Sequence, residues 1–412
     1  MTGPRVCLVS PSHPCCNPRL VKEADALHEA GFSVHAVVTR YMPTLDALDR
    51  SVYARAGWSH TVVDISGRAA RLRHKLAGIL ARRRFARTAA PSARLAALAH
   101  APHYRDLARA ALRVPADLYL GHVLAALPAV VEAGAGRRAR IGFDAEDFHS
   151  EELEDTPENQ AELRARRVLE KALLPRCNHL TASSPLIAHA YRETCGVEAA
   201  TVHNVFQLRF APAFPVAPRN TERPTLYWFS QTIGPGRGLE PLFSVLGRLD
   251  TVCDVHLRGL AAPGFPEALA ACARNAAFRG RLEFHDLAAP DEMVRLAAGH
   301  TLGLSLEQAH PRNRDLCLTN KIFTCLLAGL PVLMTPTSAQ GGLAPDLGAA
   351  ALCLDPEAPG ATRQLDAYLA APAAQAAAAA QARALGAGRW NWDFEKEIFL
   401  RTVRAALAAP LS

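Results

Sequence analysis

Short apolar runs alternate with stretches of helical spacing along the first half of the chain. Residues 6–10 form an apolar run that ends at the polar Ser10. Residues 20–30 carry apolar side chains at helical spacing, Gly31 stops that helix, and 34–38 read as a second strand. Further strands are predicted at 118–120, 140–143, 179–182 and 199–203. Strands this short and apolar, separated by helices, predict a parallel sheet covered on both faces.

Between 207 and 224 the pattern breaks. Pro212, Pro215, Pro218 and Pro224 fall close together, and the stretch reads as a linker. A second alternating series follows, with strands expected at 225–229, 252–257, 281–285, 301–306, 331–334 and 351–354. The Ala-rich tract 370–384 reads as a helix, and 390–407 as a last amphipathic one. The expected fold is therefore α/β, with two Rossmann-like domains and an interdomain cleft. The expected N-terminal domain is 1–205, the C-terminal domain 222–390, and 391–412 a final helix able to cross back to the first domain. Ligands of such sheets bind beyond the carboxyl ends of the strands.

Composition narrows the class. A chain of 412 residues, 50% apolar and 21% charged, is globular rather than disordered and long enough for two or three domains. Its net charge of +7 suits an anionic partner without specifying nucleic acid. The ten cysteines make no CxxC pair, so no zinc ribbon is expected, and a reduced, cytosolic compartment fits them. The vicinal Cys15 and Cys16 are the one spacing that hints at a metal. The best apolar stretch, 118–131, is too short to span a membrane and contains Gly121, His122 and Pro128. The N-terminal apolar run is too short for a signal-peptide core.

Four segments carry candidate chemistry. In TLYWFSQTIGPGRGLE (225–240) a strand runs into a loop with Gly234, Gly236 and Gly238, and a helix follows from Leu239. Backbone amides in such a loop can cradle an anion, and Arg237 adds a forked donor suited to phosphate. The alternative is a plain strand–helix turn. In 305–332 a strand ends at Glu307, a polar loop carries Arg312 and Arg314, and a helix opens at Thr319, Asn320 and Lys321. That opening is either a second anion site or an ordinary capped helix. The run FDAEDFHSEE (143–152) places Glu146, Asp147 and His149 at a strand end. Carboxylates beside a histidine can orient a hydroxyl or take its proton, while acids also simply favour a helix start. His122 follows another strand, and His13, Asn17 and Arg19 lie in the loop after the first. Finally, Arg68, Arg71, Arg73, Lys75, Arg82, Arg83, Arg84 and Arg87 form a basic block without an acid, interleaved with Leu72, Leu76, Ile79, Leu80 and Phe85. This is either a helix for an anionic membrane surface or a solvated face. No row of aromatics accompanies it, so nucleic acid is not expected as a partner.

The run "NKIF…LLAGLPV" (320–332), the "GPGRGLE" loop and the opening "NPRLVKEADALHEAGFSV" resemble bacterial group 1 (family 4) glycosyltransferases of the GT-B fold. "TASSPLIAHAYRETCGV" and "TVHNVF" extend the likeness over nearly the whole chain. The resemblance implies transfer of a sugar from a nucleotide-diphosphate sugar to a glycan or lipid-linked acceptor, with retention, in cell-surface polysaccharide assembly. It implies a hexosyltransferase without metal or other cofactor, cytoplasmic or peripheral on the inner face of the cell membrane. Arg237, Lys321, Asp147, Glu146 and His122 are then the catalytic candidates. The donor contacts would be Gly234, Gly236, Gly238, Gln231, Glu307, Arg314, Thr319, Asn320 and His285, and the acceptor contacts His13, Asn17, Arg19 and His149. The chain carries Gln231, Leu316 and Thr324 where many members have an arginine and two glutamates. A nucleotide-sugar epimerase of the same fold and a non-catalytic nucleotide-sugar-binding protein therefore stay open. No Asp-x-Asp triplet occurs, which sets the chain apart from metal-bridged glycosyltransferases of the other major fold.

Overall fold

The apolar runs become the central strands of two parallel sheets. The computed structural model describes residues 3–220 and 222–410. They divide into two compact units, one comprising 3–202 with 396–410 and the other 203–395.

The first unit is built on β1 (Arg5–Val9), β2 (Ser33–Arg40), β3 (Ser59–Asp64), β4 (Leu118–His122), β5 (Arg140–Ala145), β6 (His179–Ala182) and β7 (Ala200–Thr201), in the order β3-β2-β1-β4-β5-β6-β7. Every described pairing is parallel. β1 sits between β2 and β4, so Val6 to Val9 are buried on both faces, which is why they read as an unbroken apolar run. β3 escapes the sequence reading for the opposite reason. It is an edge strand, and its side chains alternate between exposed and half-buried. The helices Arg68–Arg87, Ala93–His100 and Tyr104–Arg113 follow it before the chain re-enters the sheet at β4.

The second unit holds β8 (Thr225–Ile233), β9 (Asp254–Ala261), β10 (Leu282–His285), β11 (Leu302–Ser305), β12 (Val332–Met334) and β13 (Ala351–Cys353), in the order β10-β9-β8-β11-β12-β13. This is the Rossmann strand order, and the first sheet repeats it with one strand added. In each sheet the order reverses beside the first strand, between β1 and β4 and between β8 and β11. β8 is longer than its apolar run of 225–229. A register shift against β9 between Phe229 and Thr232 carries the strand on to Ile233. Gln231, expected in the loop after this strand, is thus an exposed residue of the strand itself.

The proline-rich stretch is irregular, as expected, but it is no free linker. Arg219 donates to the carbonyls of Ala298 (3.0 Å) and Leu296 (2.9 Å), and its amide donates to Gly299 (2.8 Å). The prolines removed regular structure without removing contacts. The Ala-rich tract forms the helix Pro372–Gly388, and the tail forms Trp392–Ala408. In the first unit, Arg140 of β5 donates to the carbonyl of Ala409, and Phe399 stands edge-on to His179.

Candidate functional site

The glycine loop of the second unit lies at the strand-order reversal. Gly236 (φ +68°) and Gly238 (φ +75°) occupy the left-handed region, and a Cβ on Gly238 would stand 2.5 Å from the carbonyl oxygen of Leu306. Only glycine lets the loop settle on the end of β11 in this way. Arg314 lies in the short helix Arg312–Leu316, where a polar loop was expected, and donates to the carbonyl of Gly236, tying the segment after β11 to the glycine loop.

Lys321 stands in the first turn of the helix Asn320–Leu327. It is only 8% exposed, its Nζ is 2.7 Å from Glu307 Oε1, and it lies 5.9 Å from the Trp228 ring centre. Burial pushes the Glu307 carboxyl up, but Lys321, with Arg314 and Arg237 beyond it, holds it below its ordinary value. Glu307 is therefore an anion at neutral pH that fixes Lys321 in place. Its carbonyl accepts from Thr335 Oγ1, which in turn accepts from Gln340 Nε2 at 3.0 Å. Thr319 precedes the helix without capping it by its side chain, and its Oγ1 is 3.5 Å from Ser305 Oγ. Arg237 is half-buried, and among the described residues none makes a hydrogen bond or ion pair to its guanidinium. Three cations thus surround one carboxylate at this corner, an excess of positive charge. Gly234, Gly236, Gly238, Arg237, Arg314, Glu307, Thr319, Asn320 and Lys321 all lie at or just beyond β8 and β11. His285 does not. It ends the edge strand β10, with its Nε2 2.9 Å from His256 Nδ1.

In the first unit the candidates meet in a buried ionic cluster at the ends of β1, β4 and β5. Arg19 holds Asp144 through two bonds of 2.5 and 2.7 Å and donates to the Val202 carbonyl at 2.7 Å. Thr181 donates to the same carboxylate at 2.6 Å. His122 lies between Glu23 (3.3 Å) and Asp144 (3.5 Å). Burial resists ionisation of Asp144, yet Arg19 and His122 hold its carboxyl far below the usual range. Burial, then the charge of Asp144, pushes Glu23 up to about 7. Burial disfavours the His122 imidazolium, but Glu23 and Asp144 outweigh it and raise the value. Lys22, one residue before Glu23, is pushed down to about 7 by burial and by Arg19. The residue after His122, Val123, sits at φ +66°, a costly conformation for a β-branched side chain.

The acceptor candidates are engaged within the first unit. Arg19, His13 and Asn17 are buried and hydrogen-bonded within the protein. His13 Nδ1 is 2.5 Å from Asp49 Oδ2, and its Nε2 accepts from the amides of Tyr41 and Met42, both at 3.0 Å. Asn17 caps the helix Pro18–Glu29 by accepting from the Leu20 amide at 3.0 Å, and it donates to Ser10 Oγ at 3.2 Å. His149 is buried beside Glu152, at 3.5 Å. His122 is enclosed as well, whereas Glu146 and Asp147 remain half-buried at the end of β5. Burial raises the Glu146 value. Asp49, Asp144, Glu23 and Lys22 went unread in the sequence. Glu23 was accessible there, because it follows Arg19 by four residues and so shares its helix face.

The basic block forms the helix Arg68–Arg87. Gly78, Ala81 and Phe85 are buried, while Leu72, Leu76 and Leu80 are 58%, 52% and 66% exposed. Three leucines at spacing i, i+4, i+8 thus form an apolar stripe in a basic surface. Among the described residues no helix is long and apolar enough to cross a membrane.

No protein-family model matches the sequence, and no curated protein matches it. Solved structures match it over their full length. HepE of Anabaena, solved with UDP and glucose, is 16% identical with a TM-score of 0.69, covering 98% of this chain and 100% of that one. Sucrose-phosphate synthase of Thermosynechococcus elongatus is 12% identical with a TM-score of 0.72, covering 99% and 100%. The chain has the GT-B fold. Its two sheets in Rossmann order are those of this fold. The GT-B architecture also matches a protein of Listeria monocytogenes described as a UDP-N-acetylglucosamine 2-epimerase, at 11% identity and TM-score 0.58, covering 99% and 97%.

Proposed function

We propose that this protein is a glycosyltransferase of the hexosyltransferase type, taking a sugar from a nucleotide-diphosphate sugar. The observation that carries this reading is the cluster of cations at β8 and β11, where the half-buried Arg237 has no partner of its own beside the Lys321–Glu307 pair. The donor's pyrophosphate is a dianion, the charge that such a cationic corner attracts. As the glycosidic bond breaks, charge grows on the departing phosphate. Arg237, Lys321 and the amino ends of the helices Leu239–Leu246 and Asn320–Leu327 would neutralise it, so transfer needs no metal and no other cofactor. The second unit takes the donor, and the first unit takes the acceptor, with Glu146 and Asp147 at the end of β5 orienting its hydroxyl. The reaction retains the anomeric configuration.

The acceptor in this reading is a glycan or lipid-linked sugar of cell-surface polysaccharide assembly. The helix Arg68–Arg87 supports a site on the inner face of the cell membrane, because its leucine stripe and basic flanks match an anionic lipid surface. An epimerase reading draws on the Listeria likeness, and product analysis separates the two. The test is a thermal-shift panel of nucleotide sugars, followed by product analysis with the donor that binds. A stabilising donor with transfer to an added acceptor supports the proposal. Conversion of the free nucleotide sugar to its epimer, or binding without turnover, overturns it.

A further inference from the structure

Three side chains of ligand type meet on the outermost pair of strands of the second unit. Glu283 of β10 lies directly across from His256 of β9, and His285 follows two residues on, so all three project from one face. His256 Nδ1 and His285 Nε2 are 2.9 Å apart, and Glu283 Oε2 is 3.5 Å from the first and 4.0 Å from the second. The two rings are parallel within 4°, with centres 5.2 Å apart, so they meet edge to edge through one shared hydrogen bond. A point equidistant from these three donor atoms lies about 2.1 Å from each, the bond length of zinc to imidazole and carboxylate.

We propose that His256, Glu283 and His285 bind a divalent transition-metal ion of the zinc, cobalt or nickel kind, which staples β10 to β9. Two imidazoles and one carboxylate suit these borderline ions rather than magnesium or calcium, which prefer oxygen. Binding requires each ring to tilt out of the shared hydrogen bond until its lone pair meets the common point. All three side chains are partly exposed, which gives the ion an entry path and a fourth position for water. Two nearby cations are engaged elsewhere. Arg258 donates to Tyr227 Oη (3.1 Å) and the Asp286 carbonyl (2.8 Å), and Arg219 to the backbone of 296 and 298. His300 closes one side, its ring 4.9 Å from that of His256. The staple has a mechanical use, since β10 has four residues and pairs with the sheet only through β9. His285 thereby takes a role other than the donor contact expected for it. The site shares no residue with the cationic corner, and it stands whether or not the donor reading does.

The experiment titrates the chelator-stripped full chain with cobalt and with zinc. One equivalent is expected to bind, with cobalt d–d bands and no thiolate charge transfer. H256A, H285A and E283Q should each weaken binding tenfold or more. Zinc should raise the Tm of the parent protein and not that of H285A. Circular dichroism confirms the fold of each variant, and the near-isosteric E283Q serves where a histidine variant is misfolded. Absence of saturable binding, equal binding by all three variants, or a thiolate band that moves the ion to the cysteines overturns the proposal.

Discussion

Lys321 and Glu307 form an almost buried ion pair at 2.7 Å, next to an arginine that has no such partner. The pair keeps a lysine extended in a low-dielectric corner without a ligand, and a bound anion would find the ammonium already in position. A charge-assisted hydrogen bond contributes about 1.5–3 kcal/mol, and a donor acting on developing charge about 2.7–4 kcal/mol in rate. Arg237→Ala and Lys321→Ala are each expected to cut kcat/KM by about a hundredfold or more. The double variant should lose less than the product of the singles, because both side chains act on one leaving group. Steady-state kinetics check this. Near-normal turnover in either single variant places the leaving group elsewhere, with Arg312 and Arg314 the next positions to vary.

Arg19→Met should destabilise the first unit strongly. It leaves the Asp144 carboxylate buried without its bidentate partner, a change that typically costs about 3–5 kcal/mol. Arg19→Met combined with Asp144→Leu should recover much of that loss, since no charge is then stranded. Urea unfolding measures both. Equal stability of the single variant and the parent would show that the cluster is not held by this pair.

The raised Glu23 value fixes the sign of a pH dependence. Its folded value of about 7 stands above the ordinary 4.5, so the folded protein binds this proton more tightly than the unfolded chain. The contribution is fully present below 4.5 and is lost as pH rises through about 7. The raised His122 value acts in the same direction. The depressed Asp144 value matters only in stronger acid, and Lys22 only above about 7. The Tm advantage of the parent protein over Glu23→Gln should therefore shrink between pH 5 and 7. Parallel Tm curves would contradict it.

Replacing Arg82, Arg83 and Arg84 with glutamate should release the protein from vesicles rich in anionic lipid. Each basic residue near the headgroups contributes about 1 kcal/mol. Changing Leu72, Leu76 and Leu80 to serine should have the same effect through the apolar stripe. Tm should change little, because the leucines are exposed. Co-sedimentation with anionic and with neutral vesicles reads the outcome, and unchanged sedimentation of both variants removes the membrane role.

The sequence by itself determined the class of fold. Central strands such as β1 and β8 are buried on both faces, so their apolar runs are legible without any partner being known. The glycine loop with Arg237 and the helix opening at Lys321 were legible too, because each is a local pattern of a few residues. Tertiary structure decided what long-range pairing decides. β3 is half-exposed and leaves no apolar run, and Gln231 joins β8 only through a register shift against β9. Arg19 reads in the sequence as an acceptor contact, and its pairing with Asp144, 125 residues away, shows only in the fold. Asp144 and His122 likewise come from separate strands, so no spacing along the chain pairs them with Arg19 and Glu23. Lys321 and Glu307 could each be read as a ligand contact alone. Only the packing of one helix start against the end of β11 makes them partners, because a buried charge must find its counter-charge wherever the fold places it.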